Sequence, residues 1–508
     1  MVCGIAATTS LPSRLWAAEE KPSQNASAAE KEKKPEHEEK EPVVTHHTMK
    51  IGGQEIAFTA TAGRIAQKAD DGKEKAHVFF VAYTKDGVDD VSQRPVTFCF
   101  NGGPGSSSVW LHLGMAGPWK VVIPDDASTP RPPFTLEANP HSLLDLTDLV
   151  FIDPVSTGYS RPAEGEKKEQ FHGYEEDIHS VAQFIHDYTT KYGRWSSPKF
   201  LIGESYGGIR AAGLSGWLQS RYKLELNGAI IISGVINFQT IRFQPTNDLA
   251  YISFLPSYAA TAWYHEKLPQ DLQALSLEKL TAEAEEFAAG AYATALLKGT
   301  AISAGEKQVI AREYARFTGL SPRYVQGANL RVSMDRFAKE LLRSQRRTVG
   351  RFDSRFVGID HDTVGGEYEY DASAAAISGA FTAAMNSYLR ETLNYTEDRV
   401  YEVVSGNVHP WNYDGFQNRY VDASETLRQA MIKNPYLQVF AACGYYDLAT
   451  PSFGMELTRT HLGLAPERAG NFRMAYYQGG HMMYIYEPSL KKLHRDLTKF
   501  YADTANTR

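Results

Sequence analysis

The sequence has few cysteines, no long hydrophobic run and no strong excess of either charge. Three cysteines in 508 residues cannot build a disulfide framework, and a buried thiol is the simplest expectation for Cys99 and Cys443, which lie in apolar runs. Because no run of 18 apolar residues occurs, no membrane-spanning helix is predicted. The net charge of −7 is mild and gives no reason to expect a nucleic acid partner. His37 and the pair His46–His47 lack metal-ligand spacing, so they predict no metal site.

The composition nevertheless supports a large folded core. Hydrophobic residues make up 43% of the chain and aromatic residues 12%, which is typical of a globular protein. The length fits two or three ordinary domains, or one large α/β domain with an insertion.

Residues 1–43 differ in composition from the rest of the chain. Met1–Ala18 is weakly apolar and resembles the tail of a secretory signal, although Arg14 interrupts it and no basic residue precedes it. Glu19–Pro42 consists almost entirely of Glu, Lys, Pro, Ser and Ala, too polar to offset the entropy cost of ordering. We therefore expect a signal remnant followed by a disordered charged linker. If Met1–Ala18 is a secretory signal, we expect the protein to be periplasmic or secreted. If it is not, we expect a cytoplasmic protein.

Short apolar runs that end in polar or glycine-rich loops recur from residue 44 onward. The predicted strands are Ile56–Thr61, His77–Tyr83, Val96–Phe100, Leu149–Ile152, Lys199–Ile202, Ala229–Ile232, Leu437–Ala442 and Phe472–Tyr477. Helical patterns lie between several of them, most clearly over Glu175–Tyr192. Continuous apolar strands alternating with helices predict an α/β protein, with a mostly parallel central sheet flanked by helices.

Residues 242–395 break this alternation. They contain no convincing buried strand, only amphipathic helical stretches such as Leu272–Tyr292 and Ala374–Leu393. We therefore predict a helical lid inserted into the core, whose first part is residues 44–241 and whose second part is residues 396–508.

The most informative motif is Gly203-Glu-Ser205-Tyr-Gly207, at the end of an apolar run and before a helix-compatible segment. This is the pattern of a nucleophile elbow, a tight strand-to-helix turn that presents a serine hydroxyl at the top of a sheet. The glycines leave room for the neighbouring strand and helix. A lone match arises easily in a chain with 40 glycines, so its position after a predicted strand is what makes Ser205 a candidate nucleophile.

Three other strand ends carry suggestive residues. Asn101-Gly-Gly-Pro-Gly follows one strand and could supply backbone N–H donors to an oxyanion hole; a structural turn is the alternative, and the absence of a following lysine argues against a Walker loop. Asp447 follows another strand, where a helix cap or turn would be the plainer interpretation. His481 follows two glycines on a loop, an unusual place for a core histidine.

The chain order Ser205, Asp447, His481 is that of the α/β-hydrolase triad, and the predicted lid falls in the long gap after the serine. In such a triad the histidine takes the serine proton, the aspartate orients and stabilises the imidazolium, and an acyl-enzyme is then hydrolysed. The sequence thus predicts an α/β-hydrolase fold and acyl-transfer chemistry.

Several motifs together resemble the serine carboxypeptidase family. The matching segments are Asn101-Gly-Gly-Pro-Gly, Phe151-Ile-Asp-Pro-Val-Ser-Thr-Gly-Tyr-Ser160, Gly203-Glu-Ser-Tyr-Gly-Gly208 and Gly480-His-Met482. They fall in both halves of the predicted core, and the predicted lid is not recognisably matched.

The resemblance implies hydrolysis of the C-terminal peptide bond of peptides that have a free C-terminus, without metal or other cofactor. It assigns Asn101 and Glu204 to the substrate's terminal carboxylate, and the backbone N–H groups of Gly103 and Tyr206 to the oxyanion hole. Glu204 must be protonated to donate a hydrogen bond to a carboxylate, and burial raises a carboxyl pKa. His481 must be neutral to act as a base, so the working pH is a compromise.

The chain departs from the family pattern at three positions. The family's second glutamate, in Glu-x-Gly-Pro, is Met115 here, and an apolar residue there could still raise the pKa of Glu204 by desolvation. The family's cysteine after the glycine loop is Ser106, and its tryptophan after Asn-x-x-Ser is Leu143. These changes affect the expectations for carboxylate recognition, pH optimum and extracellular location.

Two alternatives to a serine carboxypeptidase stay open at this point. The first is an esterase, another peptidase or an acyltransferase on the same scaffold, since one scaffold hosts many reactions. The second is a non-catalytic binding protein that retains the fold. Trp411 and Asn412 either line the cleft or form a surface turn.

Overall fold

The structure is a computed structural model and describes residues 41–505. The predicted signal remnant and linker therefore lie outside the described residues, except at their last positions, where the first strand already begins. The described strands are β1 (Val43–Ile51), β2 (Gln54–Lys68), β3 (Glu74–Lys85), β4 (Val96–Phe100), β5 (Trp119–Val121), β6 (Leu136–Ala138), β7 (Asp148–Ile152), β8 (Arg161–Pro162), β9 (Lys199–Glu204), β10 (Gly228–Ile232), β11 (Arg347–Val349), β12 (Val357–Ile359), β13 (Gln438–Gly444) and β14 (Phe472–Tyr477).

A mixed, mostly parallel sheet organises the molecule. Its strand order is β1-β2-β3-β7-β4-β9-β10-β13-β14, and the short β8 pairs with β3. The pairs β1–β2, β2–β3 and β3–β7 are antiparallel, whereas β7, β4, β9, β10, β13 and β14 run parallel to one another. The carboxyl ends of β4, β9, β13 and β14 therefore meet at one edge, which is where a ligand site is expected.

Burial explains why the predicted strands read as continuous apolar runs. Every residue of β4, β7, β9, β10 and β13 is buried, because helices cover both faces of a parallel sheet. Strand β1 instead alternates partly buried and exposed residues, as an antiparallel edge strand with one wet face does.

Helices flank the sheet on both faces, as predicted, and further helices form the segment 242–395. They are α1 (Val109–Leu111), α2 (Tyr174–Lys191), α3 (Gly207–Trp217), α4 (Asp248–Tyr264), α5 (Gln270–Gln273), α6 (Leu277–Phe287), α7 (Ala293–Lys298), α8 (Ala304–Thr318), α9 (Pro322–Gly327), α10 (Met334–Glu340), α11 (Ala372–Ser387), α12 (Ser424–Lys433), α13 (Ser452–Thr460), α14 (Pro466–Ala469) and α15 (Glu487–Ala505). Apolar side chains of α2, α3 and α12 pack with one face of the sheet, and those of α11 and α15 pack with the other. No helix among residues 41–505 is long and apolar enough to cross a membrane.

Residues 242–395 contain α4 to α11 and one element that the sequence pattern did not predict. This is the antiparallel hairpin β11–β12, where Val349 is buried and most of β12 is exposed. The strands have three residues each, too short to show a period. Several of the helices share a hydrophobic core in which Tyr258 stacks on Phe337 with ring centroids 4.0 Å apart. Whether the segment acts as a lid stays a prediction.

Candidate active site

The nucleophile elbow forms between β9 and α3, at the predicted serine. Ser205 has φ of +62°, a left-handed conformation that is uncommon for a residue other than glycine. Glycine is required two residues earlier, because a Cβ on Gly203 would lie 2.1 Å from the carbonyl oxygen of Gly207. The Ser205 N–H donates to the carbonyl of Ile232 at 3.1 Å, which ties the turn to β10. The serine is partly exposed, so its hydroxyl can be reached by a substrate.

The structure brings Asp447 and His481 together, as predicted. The Nδ1 atom of His481 lies 2.8 Å from Oδ2 of Asp447. Asp447 is fully buried, and its Oδ1 accepts hydrogen bonds from the backbone N–H groups of Ala449 at 2.7 Å and Thr450 at 2.9 Å. The hydroxyl of Thr450 lies 2.8 Å from Oδ2. The carboxylate is thus held rigidly, with one oxygen aimed at the imidazole.

Two carboxylates raise the pKa of His481. Burial lowers this pKa, but the adjacent carboxylate of Asp447 and, to a smaller extent, that of Glu204 together outweigh burial. The pKa of His481 is therefore raised above its ordinary value. A hydrogen bond between Nδ1 and the aspartate leaves Nε2 as the atom that can accept a proton from a serine.

The loop of the β11–β12 hairpin supports the histidine. The N–H of His481 donates to the carbonyl of Phe352 at 2.5 Å, and the two rings lie 5.1 Å apart. The N–H of Gly480 donates to Oδ2 of Asp353 at 3.0 Å, and Asp353 is paired with the buried Arg355. The loop of a short hairpin outside the sheet thus holds the loop that carries His481, and no local sequence pattern predicts this contact.

The glycine loop packs directly on the elbow. A Cβ on Gly102 would lie 2.4 Å from the backbone nitrogen of Tyr206 and 2.7 Å from the carbonyl oxygen of Glu204, so only glycine allows this approach. Among the described residues, neither the N–H of Gly103 nor that of Tyr206 donates a hydrogen bond to another group. Two free donors beside the serine are what an oxyanion hole requires.

A buried ion pair anchors the loop to α3. Arg210, which is 1% exposed, donates to both carboxylate oxygens of Asp177, at 2.7 and 3.1 Å. The same guanidinium donates to the carbonyl of Asn101. The first residue of the glycine loop is therefore held by the helix that begins at the elbow. The sequence reasoning did not single out this pair, because its members are 33 residues apart and belong to no motif.

Glu204 and Asn101 lie buried at this edge of the sheet. Glu204 is 3% exposed, and burial raises its pKa to about 7, against the opposing effects of His481, Tyr484 and Asn101. The side chain of Asn101 is 1% exposed, and its Oδ1 accepts from the N–H of Leu111 at 3.1 Å. Its Nδ2 has no acceptor at full hydrogen-bond distance among the described residues, although the amide lies close enough to Glu204 to lower the pKa of that carboxyl. Below about pH 7 the site thus offers a neutral carboxyl next to an amide donor.

Tyr484 is a further site residue that the sequence did not reveal. It is 1% exposed and donates a hydrogen bond from its hydroxyl to Oε2 of Glu204 at 2.6 Å. The only available signal was its position three residues after His481. Met115, which we expected to desolvate Glu204, is 1% exposed and belongs to the same hydrophobic core as Tyr484.

The other departures and candidates also have defined surroundings. Ser106 accepts a hydrogen bond from the indole of Trp110 at 2.9 Å, and Leu143 is buried in the core. The indole of Trp411 donates to the hydroxyl of Tyr206 at 3.2 Å, so this residue contacts the elbow.

The family comparison agrees with this geometry. The serine carboxypeptidase family model matches residues 52–265, which carry the glycine loop and the elbow. Residues 52–265, which make up less than half of the chain, are thus similar to the serine carboxypeptidase family. The predicted resemblance is thereby confirmed.

Individual relatives cover a smaller part of the chain. The lysosomal protective protein of Mus musculus is 26% identical over 189 residues, which are 37% of this chain and 36% of that protein. The pheromone-processing carboxypeptidase KEX1 of Saccharomyces cerevisiae is 30% identical over 158 residues, covering 29% of this chain and 20% of KEX1. The matched part thus spans at most about a third of the length of these two relatives.

The fold extends further than the sequence similarity. The crystal structure of KEX1(Δ)p from Saccharomyces cerevisiae superimposes with a TM-score of 0.54 over 88% of this chain and 91% of that chain, at 17% identity. With the mixed, mostly parallel sheet flanked by helices, this confirms the predicted α/β-hydrolase fold.

Proposed function

We propose that the protein is a serine carboxypeptidase that releases the C-terminal residue of peptides. Ser205, Asp447 and His481 are its triad, and Gly103 and Tyr206 supply the oxyanion hole. The observation that carries the proposal is the pair of donors beside the triad. A neutral Glu204 and the amide of Asn101 can both donate to a carboxylate, and an esterase has no need of such a pair.

The proposed reaction follows from the geometry. Nε2 of His481 takes the proton of the Ser205 hydroxyl as its oxygen attacks the carbonyl carbon of the last peptide bond. The resulting oxyanion accepts hydrogen bonds from the N–H groups of Gly103 and Tyr206. His481 then gives its proton to the leaving nitrogen, and the terminal amino acid departs. Water, deprotonated by His481, cleaves the acyl-enzyme.

The substrate's own charge sets the pH dependence. Glu204 recognises a carboxylate only while it is protonated, and burial holds its pKa at about 7. Recognition is therefore complete in acid and is lost as the pH rises through about 7. His481 opposes this trend, because it acts as a base only above its own raised pKa.

The test is a pH series with a blocked dipeptide as free acid and as amide, using wild type, Glu204→Gln and Glu285→Gln. Burial also raises the pKa of Glu285 to about 7, but this residue lies on α6, outside the proposed site, and is the matched control. At low pH, we expect wild type and the control to cleave the free-acid substrate faster than the amide. This preference should disappear as the pH rises through about 7. Glu204→Gln should show a pH-independent preference. An equal turnover of acid and amide by wild type at every pH would overturn the proposal.

Labelling separates catalysis from specificity. A fluorophosphonate probe should modify Ser205 in wild type and in Glu204→Gln, but not in Ser205→Ala. Absence of labelling in the folded wild-type protein would favour the non-catalytic alternative.

We further propose export from the cytoplasm and a lid role for residues 242–395. The signal-like pattern of Met1–Ala18 supports export. The contact between the β11–β12 loop and the loop of His481 supports the lid role, because it places part of the segment beside the proposed triad. N-terminal sequencing of the mature protein from each cell fraction tests the location.

A further inference from the structure

Tyr484 occupies a constrained position beside the proposed carboxylate site. Its ring is 1% exposed and packs against Gly114, where an added Cβ would lie 2.5 Å from the ring atom Cε2. Its hydroxyl is 2.6 Å from Oε2 of Glu204. The ring is thus fixed on one side by the backbone, and the hydroxyl is presented to a single carboxyl oxygen.

The Tyr484 hydroxyl is a permanent donor. Burial raises its pKa well above the ordinary value, and the adjacent Glu204 acts in the same direction. The hydroxyl proton has no other acceptor among the described residues, so Tyr484 donates to Oε2 whether Glu204 is charged or neutral. When Glu204 is neutral, its own proton is therefore directed to Oε1, the oxygen that Tyr484 does not contact.

The amide of Asn101 is the second donor of the proposed carboxylate site, beside the Oε1 proton of Glu204. The Nδ2 atom of Asn101 is buried and has no acceptor at full hydrogen-bond distance among the described residues, but the amide lies close enough to Glu204 to lower the pKa of that carboxyl. The side-chain carbonyl oxygen of Asn101, Oδ1, accepts a hydrogen bond from the N–H of Leu111, and this bond fixes the orientation of the amide. Oε1–H of Glu204 and Nδ2–H of Asn101 then form two donors for the two oxygens of a substrate carboxylate.

Resting on the proposed carboxypeptidase function, we propose that Tyr484 is the positioning residue of the carboxylate site. It directs the Glu204 proton to Oε1 and sets the pH above which a free C-terminus is no longer recognised. It does so in a chain where Met115 stands at the position of the family's second glutamate.

The groups that act on Glu204 come from separate loops. Asn101 follows β4, Asp447 follows β13, and His481 and Tyr484 follow β14. Asp447 raises the pKa of Glu204, whereas His481, Tyr484 and Asn101 lower it. Removing the tyrosine hydroxyl deletes a donor that favours the charged carboxylate, so the pKa of Glu204 should rise further.

The experiment compares Tyr484→Phe with Tyr477→Phe. Tyr477 is equally buried, and its hydroxyl also donates to a carboxylate, Oδ2 of Asp496 at 2.8 Å, away from the proposed site. The readout is the ratio of kcat/KM for the free acid to that for the amide, from pH 4 to pH 9. In Tyr484→Phe we expect the pH at which this ratio falls to rise by about one unit. In acid, KM for the free acid should rise about 10-fold with kcat within twofold, as expected for the loss of one directed hydrogen bond.

A second substitution should shift the pH profile in the opposite direction. Replacing Tyr484 with 3-fluorotyrosine keeps the ring and makes the hydroxyl a stronger donor, so the fall in the ratio should move to lower pH. This variant also serves if Tyr484→Phe fails to fold. The inference is overturned if both variants and Tyr477→Phe share the wild-type pH profile. If wild type itself shows no free-acid preference at any pH, the proposed function fails instead.

Discussion

Replacing Glu204 with glutamine should stabilise the fold, and the gain should appear only at neutral and alkaline pH. The carboxyl is 3% exposed, and burial raises its pKa from 4.5 to about 7. Below the unfolded pKa, the group is protonated in both states and its burial costs nothing extra. As the pH rises, the unfolded state ionises first, so the folded state loses stability until the pH passes about 7.

The magnitude follows from the size of the pKa shift. One pKa unit corresponds to about 1.4 kcal/mol, so a shift of this size costs the folded state about 3 kcal/mol at pH 8 and almost nothing at pH 4. Glutamine carries no charge and can still accept the hydrogen bond from Tyr484, so it escapes the cost. Urea unfolding at both pH values, with the exposed Glu286→Gln as control, measures the difference. A gain that is the same at pH 4 and pH 8 would refute the reasoning.

Two further predictions concern the support of the site. Asp177→Ala should destabilise the protein by about 3–5 kcal/mol in urea unfolding, because it leaves the guanidinium of Arg210 buried without its partner; a loss below 1 kcal/mol would contradict this. Gly102→Ala should lower kcat by about 10²–10³ in steady-state kinetics, because the new Cβ would meet the backbone nitrogen of Tyr206 and push the loop from the elbow. Unchanged kcat in the alanine variant would mean that the loop does not form the oxyanion hole.

The sequence predicted the strands of the parallel part of the sheet best. Val96–Phe100 matches the fully buried β4 residue for residue, Phe472–Tyr477 matches β14, whose four middle residues are partly buried, and Lys199–Ile202 falls two residues short of β9. The shortfall is Gly203 and Glu204, which break the apolar run yet remain in the strand. Strand β1 was not predicted as a strand, because its alternating exposure leaves few apolar residues.

In the candidate site, too, some residues were predictable from the sequence and others were not. Local motifs identified Ser205 and the glycine loop, and chain order added Asp447 and His481, whose predicted contact is present. Long-range contacts were not predictable, since nothing local links Tyr484 to Glu204, 280 residues earlier, or the β11–β12 loop to the His481 loop. Such contacts depend on how separate loops meet above the sheet, and a single sequence does not encode that in any short pattern.

The most direct test of the proposed activity is the product of digestion of an ordinary peptide. A peptide with a free C-terminus and its C-terminal amide should each be incubated with wild type and Ser205→Ala at pH 5, and the products weighed by mass spectrometry. We predict that wild type removes single residues from the free C-terminus, leaves the amide far less changed, and that Ser205→Ala removes none. Internal cleavage, N-terminal trimming or equal digestion of both peptides would contradict the account.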